Sequence, residues 1–219
     1  AALAQMGYKV MQIGCDPKAD STKNLMGGRR VPTVLDQIRA RGDELKLEDI
    51  VFEGYHGVLC VESGGPTPGV GCAGRGIITA FEKLEELRAF EIYRPDVVLY
   101  DVLGDVVCGG FAMPIRGGYA EDVYIVSSGE MMSLYAANNI ASAIRNFGAR
   151  GYAKLKGLIL NSKNLENEAE IVEKACAEIG TGIVEIIPRC ADIQFAENKG
   201  CTVFEALEAS EMKAPYSRL

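Results

Sequence analysis

The chain has 219 residues, of which 48% are hydrophobic and 24% charged, and its formal net charge at pH 7 is -7. This length and composition suit a globular protein with one substantial core. The acidic balance argues against a nucleic acid or an anionic membrane as a partner held by overall charge. The sequence contains no apolar run of about 18 residues, so it predicts no membrane span. We expect a cytoplasmic protein that binds neither nucleic acid nor a membrane.

Short apolar runs alternate with helical periods along the whole chain. The runs lack the polar alternation of a sheet with one wet face, which favours strands covered on both faces. The predicted strands are Lys9 to Ile13, Val58 to Val61, Val97 to Tyr100, Val123 to Val126, Leu158 to Leu160 and Ile183 to Ile187. Helical periods cover Ile77 to Leu87, Met131 to Phe147 and Leu165 to Ile179. The pattern predicts a single α/β domain over residues 1–219, with a mostly parallel sheet and helices on both faces.

Ligands of such sheets lie beyond the carboxyl ends of the strands. After the first predicted strand, Asp16, Lys18 and Asp20 alternate in "DPKAD". Carboxylates there suit Mg²⁺ and a lysine suits a phosphate, although a solvated turn would explain this loop equally well. Asp101 follows the apolar run "VVLY", which is the placement of the acid that holds Mg²⁺ in P-loop nucleotidases. Together these residues favour a magnesium and phosphate site.

Two of the seven cysteines are embedded in glycine, Cys72 in "GVGCAGRG" and Cys108 in "VVCGGF". Cys72 precedes a helix predicted to begin near Gly76, and the N–H groups of a helix start lower the pKa of a thiol. A 4Fe-4S cluster needs four thiolates, which a two-fold dimer of such chains would supply. The alternative is that both cysteines simply pack against backbone. Cys60 and Cys176 are predicted to be core residues.

The stretch "DVLGDVVCGG" places Asp101, Asp105 and Cys108 on one short segment. Seven residues span at most about 25 Å, and Gly104 can absorb a change of dihedral angle. We interpret the segment as a mechanical link between a nucleotide site and a thiolate-held metal. Such a link works only if the nucleotide binds two conformations with different affinity.

Four segments, "GCDPKADST", "CVESGGPTPGVGCAGRG", "DVLGDVVCGGFAMPIR" and "SSGEMMSLYAANNI", resemble the nitrogenase iron protein superfamily. The resemblance implies a P-loop NTPase-like fold of the deviant Walker A type. It implies a homodimer bridged by one 4Fe-4S cluster on Cys72 and Cys108, with ATP and Mg²⁺ in each subunit. It also implies ATP-driven transfer of electrons from a low-potential ferredoxin or flavodoxin to a larger catalytic metalloprotein.

By the same resemblance, Asp16 to Asp20 would be a first nucleotide switch, with Lys18 near phosphate, and Asp101 to Cys108 a second one. Asp105 would orient or activate water. The resemblance further implies adenine contacts by Asn161, Pro188 and Arg189, and a docking role for Arg75, which is ADP-ribosylated in some members.

The sequence also departs from the family pattern. The family's phosphate loop would lie just before Ala1, so we expect a fragment that lacks this loop and a C-terminal tail and does not hydrolyse ATP as written. The opening "AALAQMG" is predicted to end a helix at Gly7. Cys190 stands where the family usually has Asp, and from Ala149 onward the pattern is followed less closely, which leaves the partner open.

Two other functions remain open at this point. Related reductases serve the reduction of tetrapyrroles, the cyclisation of a nickel tetrapyrrole or the cleavage of methylthio-alkanes, although "GCAGRG" with Arg75 favours nitrogenase. A cluster-free partitioning ATPase of similar fold is the alternative from another class, and it would need no thiol at Cys72 or Cys108.

Overall fold

The computed structural model describes residues 1–65, 73–104, 113–148 and 153–219. Its described residues fall into two compact units, one of residues 1–65, 73–103 and 194–208, the other of residues 104, 113–148, 153–193 and 209–219. A single functional domain over residues 1–219 therefore stays a prediction. In the described ranges, no helix is long and apolar enough to cross a membrane.

Helices and strands alternate in both units. The strands are β1 (Val10–Gly14), β2 (Phe52–Glu53), β3 (Leu59–Glu62), β4 (Val97–Asp101), β5 (Asp122–Ser127), β6 (Lys154–Asn161) and β7 (Ile183–Ile187). The helices are α1 (Ala2–Gln5), α2 (Val34–Arg41), α3 (Ala73–Glu86), α4 (Ala89–Tyr93), α5 (Met113–Arg116), α6 (Met131–Gly148), α7 (Glu168–Ile179), α8 (Ala191–Asn198), α9 (Val203–Ala206) and α10 (Lys213–Arg218). Short 3-10 turns occur at Lys23–Met26, Gly42–Glu44, Leu47–Asp49 and Tyr55–Gly57.

The first unit contains a four-stranded sheet in the order β2-β3-β1-β4. Strand β1 pairs in parallel with β3 and with β4, whereas β2 pairs antiparallel with β3. Val10 and Met11, which lie on opposite faces of β1, are 2% and 0% exposed, as expected for a central strand covered on both faces. On α3, Ile77, Phe81 and Leu84 are all fully buried, which confirms the predicted apolar stripe.

The second unit contains a three-stranded parallel sheet in the order β5-β6-β7. Its core joins the sheet to α6 and α7, and Ile125, Leu158, Ala141, Val172 and Cys176 belong to it. Parallel strands covered by helices are the arrangement that the alternating pattern predicted.

All six predicted strands are present. The bounds of most of them differ by a few residues from the predicted ones. Strand β7 has the predicted bounds, whereas β1 begins at Val10 and ends at Gly14. Helix α3 begins at Ala73, earlier than the predicted start near Gly76. Leu165 was wrongly placed on the stripe of α7, because Asn167 has a φ of 54° and the helix begins only after it. The short strand β2 was not predicted.

Gly14 ends the central strand β1 at a point where no side chain fits. A Cβ added there would lie 2.0 Å from Glu62 Oε2 and 2.7 Å from Ser21 Cβ. We therefore expect Gly14→Ala to destabilise the protein by at least about 1–3 kcal/mol, the usual cost of overpacking a core. Urea unfolding followed by far-UV circular dichroism measures this.

Gly182→Ala is the matched control, since a Cβ at Gly182 would meet no atom within 4 Å. We expect this change to alter the free energy of unfolding by less than about 0.5 kcal/mol. Equal midpoints for the two variants would show that the space at Gly14 is not as tight as the structure has it.

Candidate nucleotide site at the strand ends

The carboxyl ends of β3, β1 and β4 lie side by side in the first unit. The register pairs Gly14 with Glu62 on one side and with Asp101 on the other. The backbone continues this pairing, because Cys15 N donates to Asp101 O at 2.9 Å and Ser63 N donates to Gly14 O at 2.8 Å. The segments that follow β1, β3 and β4 therefore begin next to one another, joined by backbone hydrogen bonds.

The segment after β1 folds back on itself through Lys18. Its N–H donates to Asp16 Oδ1 at 2.8 Å, while its Nζ lies 3.2 Å from Asp16 Oδ2 and 3.9 Å from Asp20 Oδ2. The hydrogen bond to Asp16 raises the pKa of Lys18, and the charges of Asp16, Asp20 and Asp101 raise it further. Lys18 therefore stays a cation, with 69% of its side chain exposed for an anionic ligand.

These side chains fit a magnesium and phosphate group. Mg²⁺ takes one or two carboxylates and completes its shell with phosphate oxygens and water, and Lys18 can meet a phosphate as a point charge. Among the described residues, no group of three or more His, Cys, Asp or Glu side chains is close enough to hold a metal ion.

Glu62 is a buried acid at the same edge of the sheet, and it is 0% exposed. Its Oε1 accepts from Thr22 N and from Thr22 Oγ1, both at 2.7 Å. Its Oε2 has no hydrogen-bond partner in the described part of the chain. Burial raises the pKa of Glu62, the Thr22 hydrogen bonds oppose this, and the charges of Asp101 and Asp20 add to the rise.

The described cysteines that lie in the cores are thiols rather than thiolates. Burial, and then the charge of Asp101, raises the pKa of Cys15 to about 12, and burial with the charge of Glu62 raises that of Cys60 to about 12. Cys60 and Cys176 are 0% and 2% exposed, which confirms both as core residues. Cys72, Cys108 and Asp105 lie outside the described residues, so their roles stay predictions.

In the second unit, the predicted adenine residues come together at the ends of neighbouring strands. Asn161 is paired with Ile187 in the register of β6 and β7, and Ser162 N donates to Ile187 O at 2.9 Å. Pro188 and Arg189 follow directly, and both are exposed, as is Asn161. The three predicted residues therefore share one accessible edge of this sheet.

Glu168 organises the segment that follows Asn161, and the sequence pattern did not predict this. Its carboxylate accepts from Ser162 Oγ at 2.6 Å, Lys163 N at 2.9 Å, Gly129 N at 3.0 Å and Leu165 N at 3.3 Å. Burial raises the pKa of Glu168, but these hydrogen bonds outweigh it and lower the pKa to about 2. The ionised side chain thus joins the segments after β5 and β6.

Arg75, the predicted docking residue, lies in the first turns of α3 and is exposed. Its carbonyl accepts from Thr79 Oγ1 at 3.2 Å. The exposed position suits contact with a partner, and the role of Arg75 stays a prediction.

Glu62 should make stability depend on pH. Because its folded pKa lies above the unfolded value, its contribution to stability is present below the unfolded pKa and is lost as the pH rises through the folded pKa. Glu62→Gln removes the titration and keeps an acceptor for Thr22. We expect the free energy of unfolding of this variant, relative to the native protein, to increase as the pH rises above about 4.3. Urea unfolding at several pH values tests this, and parallel curves would contradict it.

Glu168 should act in the opposite direction. Its folded pKa of about 2 lies below the unfolded value, so its stabilisation is present above the unfolded pKa and is lost as the pH falls towards 2. We expect Glu168→Ala to lower the free energy of unfolding by about 2–4 kcal/mol at pH 7, because it strands several buried donors. Glu166→Ala, an exposed acid in the same segment, is the control and should change little. Equal midpoints for the two variants at pH 7 would refute the anchoring role.

Comparison with known proteins identifies the family. The model of the family described as "4Fe-4S iron sulfur cluster binding proteins, NifH/frxC family" matches residues 1–219. The nitrogenase iron protein of Methanospirillum hungatei JF-1 is 55% identical over 222 residues, which cover 100% of this chain and 78% of that protein.

Solved structures show the same fold at low identity. The cell division ATPase MinD of Pyrococcus furiosus superposes with a TM-score of 0.71 at 15% identity, over 99% of this chain and 86% of that one. A ParA family ATPase from Chlorobium tepidum TLS gives 0.69 at 18% identity, over 99% and 86%. These structures confirm the predicted α/β fold with a mostly parallel sheet. Together with the family match over its whole length, the 55% identity shows that the chain belongs to the NifH/frxC family of 4Fe-4S cluster binding proteins.

Proposed function

We propose that the strand-end residues of this chain couple ATP to electron transfer in a nitrogenase. The function follows from one observation, the 55% identity to a nitrogenase iron protein over the whole chain. The chain is the ATP-dependent reductase component, with a 4Fe-4S cluster and MgATP as cofactors. It works as a homodimer with a larger catalytic component. The identity does not favour the other reductases or a partitioning ATPase.

The segment Asp16 to Asp20 is the first nucleotide-responsive element. Lys18 meets phosphate, and Asp101 faces the magnesium ion. The contacts of Lys18 with Asp16 and Asp20, and the pairing of Asp101 with Gly14, support this assignment. Because Lys18 Nζ lies 3.2 Å from Asp16 and 3.9 Å from Asp20, a phosphate that binds Lys18 would compete with these carboxylates and change the shape of the segment.

Asn161, Pro188 and Arg189 frame the adenine. Their exposure at the ends of two hydrogen-bonded strands supports this role. Glu168 holds the Asn161 edge through the neighbouring backbone N–H groups, which limits its motion before a base binds.

The cluster lies on Cys72 and Cys108, one pair from each subunit. Two observations support the assignment. Cys72 directly precedes α3, whose first N–H groups favour an anionic sulfur. Cys15 and Cys60, in contrast, have pKa values of about 12 and remain protonated.

The segment from Asp101 to Cys108 forms the second nucleotide-responsive element, with Asp105 orienting or activating water. Among the described residues, a Cβ at Gly104 would meet no atom within 4 Å, and a glycine there keeps the conformational freedom that such a movement needs. Residues 1–219 act as one nucleotide-binding and iron-sulfur domain.

The catalytic partner is the molybdenum-iron protein or an alternative nitrogenase protein, docked at the face that carries Arg75. A low-potential ferredoxin or flavodoxin supplies the electrons. The protein works in the cytoplasm. Its net charge of -7 argues against nucleic acid or anionic membrane partners held by overall charge.

Iron and acid-labile sulfide, measured on anaerobically purified protein, test the cluster assignment. We expect about four of each per dimer, since four thiolates hold one 4Fe-4S cluster. Cys72→Ala and Cys108→Ala should each abolish the iron and leave nucleotide binding in the complete protein intact.

Cys201→Ala is the control, because Cys201 is a partly exposed cysteine outside the proposed cluster site, and burial and then Glu205 raise its pKa. It should retain the full iron content. Stoichiometric iron in the Cys72 or Cys108 variant would refute the ligand assignment.

A further inference from the structure

A buried hydrogen-bonded contact joins the end of β3 to the segment after β1. Thr22 is 1% exposed and Glu62 is 0% exposed. Both donors of Thr22, its N–H and its hydroxyl, point at the same oxygen, Glu62 Oε1, at 2.7 Å. The contact is therefore buried and consists of two short hydrogen bonds to one carboxylate oxygen.

An acid at this position costs stability. Glu62 Oε2 makes no hydrogen bond within the described residues, and an unsatisfied buried oxygen costs about 1–3 kcal/mol. The charges of Asp101 and Asp20 act on it as well. An apolar side chain would fill the same space without this cost, so the acid points to a functional role.

The two ends of the contact lie on segments with different roles. Thr22 follows Asp20 by two residues, whereas Glu62 precedes Cys72 by ten. The Glu62 carboxylate also lies directly over Gly14, where a Cβ would come within 2.0 Å of Oε2. A shift of Thr22 therefore cannot leave the carboxylate in place without loss of both hydrogen bonds.

We propose that Glu62 is a positioning residue that transmits the nucleotide state to the cluster through Thr22. The proposal rests on the proposed function, in which Asp16 to Asp20 respond to nucleotide and Cys72 binds the cluster. Rearrangement of that segment displaces Thr22, and the hydrogen bonds carry the displacement to the end of β3 and onward to Cys72. This route follows a different segment of the chain from the one between Asp101 and Cys108.

The experiment compares rates of iron removal by a ferrous chelator, with and without MgATP, in the complete homodimer. In Thr22→Val, the hydroxyl donor is lost while the shape of the side chain is kept. We expect the ratio of the two rates to fall at least about five-fold, which is the lower range of coupling between sites. Thr22→Ser, which restores the hydroxyl, should restore the ratio.

Thr202→Val is the matched control. Thr202 is also a threonine of the first unit with a bonded hydroxyl, accepting from Glu205 N at 3.3 Å, but it caps α9 and has no contact with Glu62. Its ratio should equal that of the native protein. Glu62→Ala should reduce the ratio as Thr22→Val does.

An unchanged ratio in Thr22→Val, with normal iron content, would overturn the proposal and leave the proposed function standing. The same fall in Thr202→Val would also overturn it, because the effect would then be a general loss of stability. A native dimer that lacks iron, or that loses iron to the chelator at the same rate with and without MgATP, would instead overturn the proposed function and this inference with it. Should Glu62→Ala fail to fold, Thr22→Val and Thr22→Ser still decide the question.

Discussion

The parallel pairing of β1 with β3 and β4 determines the geometry of the candidate site. Because the three strands run in the same direction, their carboxyl ends reach one edge, and Gly14 lies between Glu62 and Asp101. Every strand-end contact of the first unit depends on this register. A slip of one residue would turn the side chains of β1 to the opposite face and break the pairing of Gly14 with Glu62 and Asp101.

Two buried glutamates show how hydrogen bonding decides the state of an acid. Glu168 accepts from one hydroxyl and three backbone N–H groups, which outweigh the cost of burial and lower its pKa to about 2. Within the described part of the chain, Glu62 accepts from Thr22 alone, on one oxygen, and burial raises its pKa. The first glutamate is a fixed anchor. The described contacts of the Glu62 carboxylate are those with Thr22, so any movement of Thr22 changes its hydrogen bonding.

Most of the fold could be predicted because buried parallel strands are apolar runs with marked ends. Strand β2 could not, since Phe52 and Glu53 alone form no periodic pattern. The rule that ligands bind at the carboxyl ends of parallel strands predicted that Asp16 and Asp101 share one site. It did not predict the burial of Glu62, which depends on the missing side chain at Gly14, although an acid that directly follows "VLCV" carried the same signal as Asp101. The donors of Glu168 are mostly backbone groups, and these leave no trace in sequence.

The fold alone does not separate this chain from cluster-free ATPases. A cell division ATPase MinD and a ParA family ATPase share it at 15% and 18% identity, so the fold serves proteins with different functions. What distinguishes the chain is chemistry placed on that frame, namely two cysteines set in glycine, each on a segment that continues from a strand end of the nucleotide site. Asp101 is continuous with Cys108, and Glu62 is continuous with Cys72. In the proposed function, a nucleotide that rearranges this one edge of the sheet acts on both proposed cluster ligands of a subunit, through the two segments that continue from it.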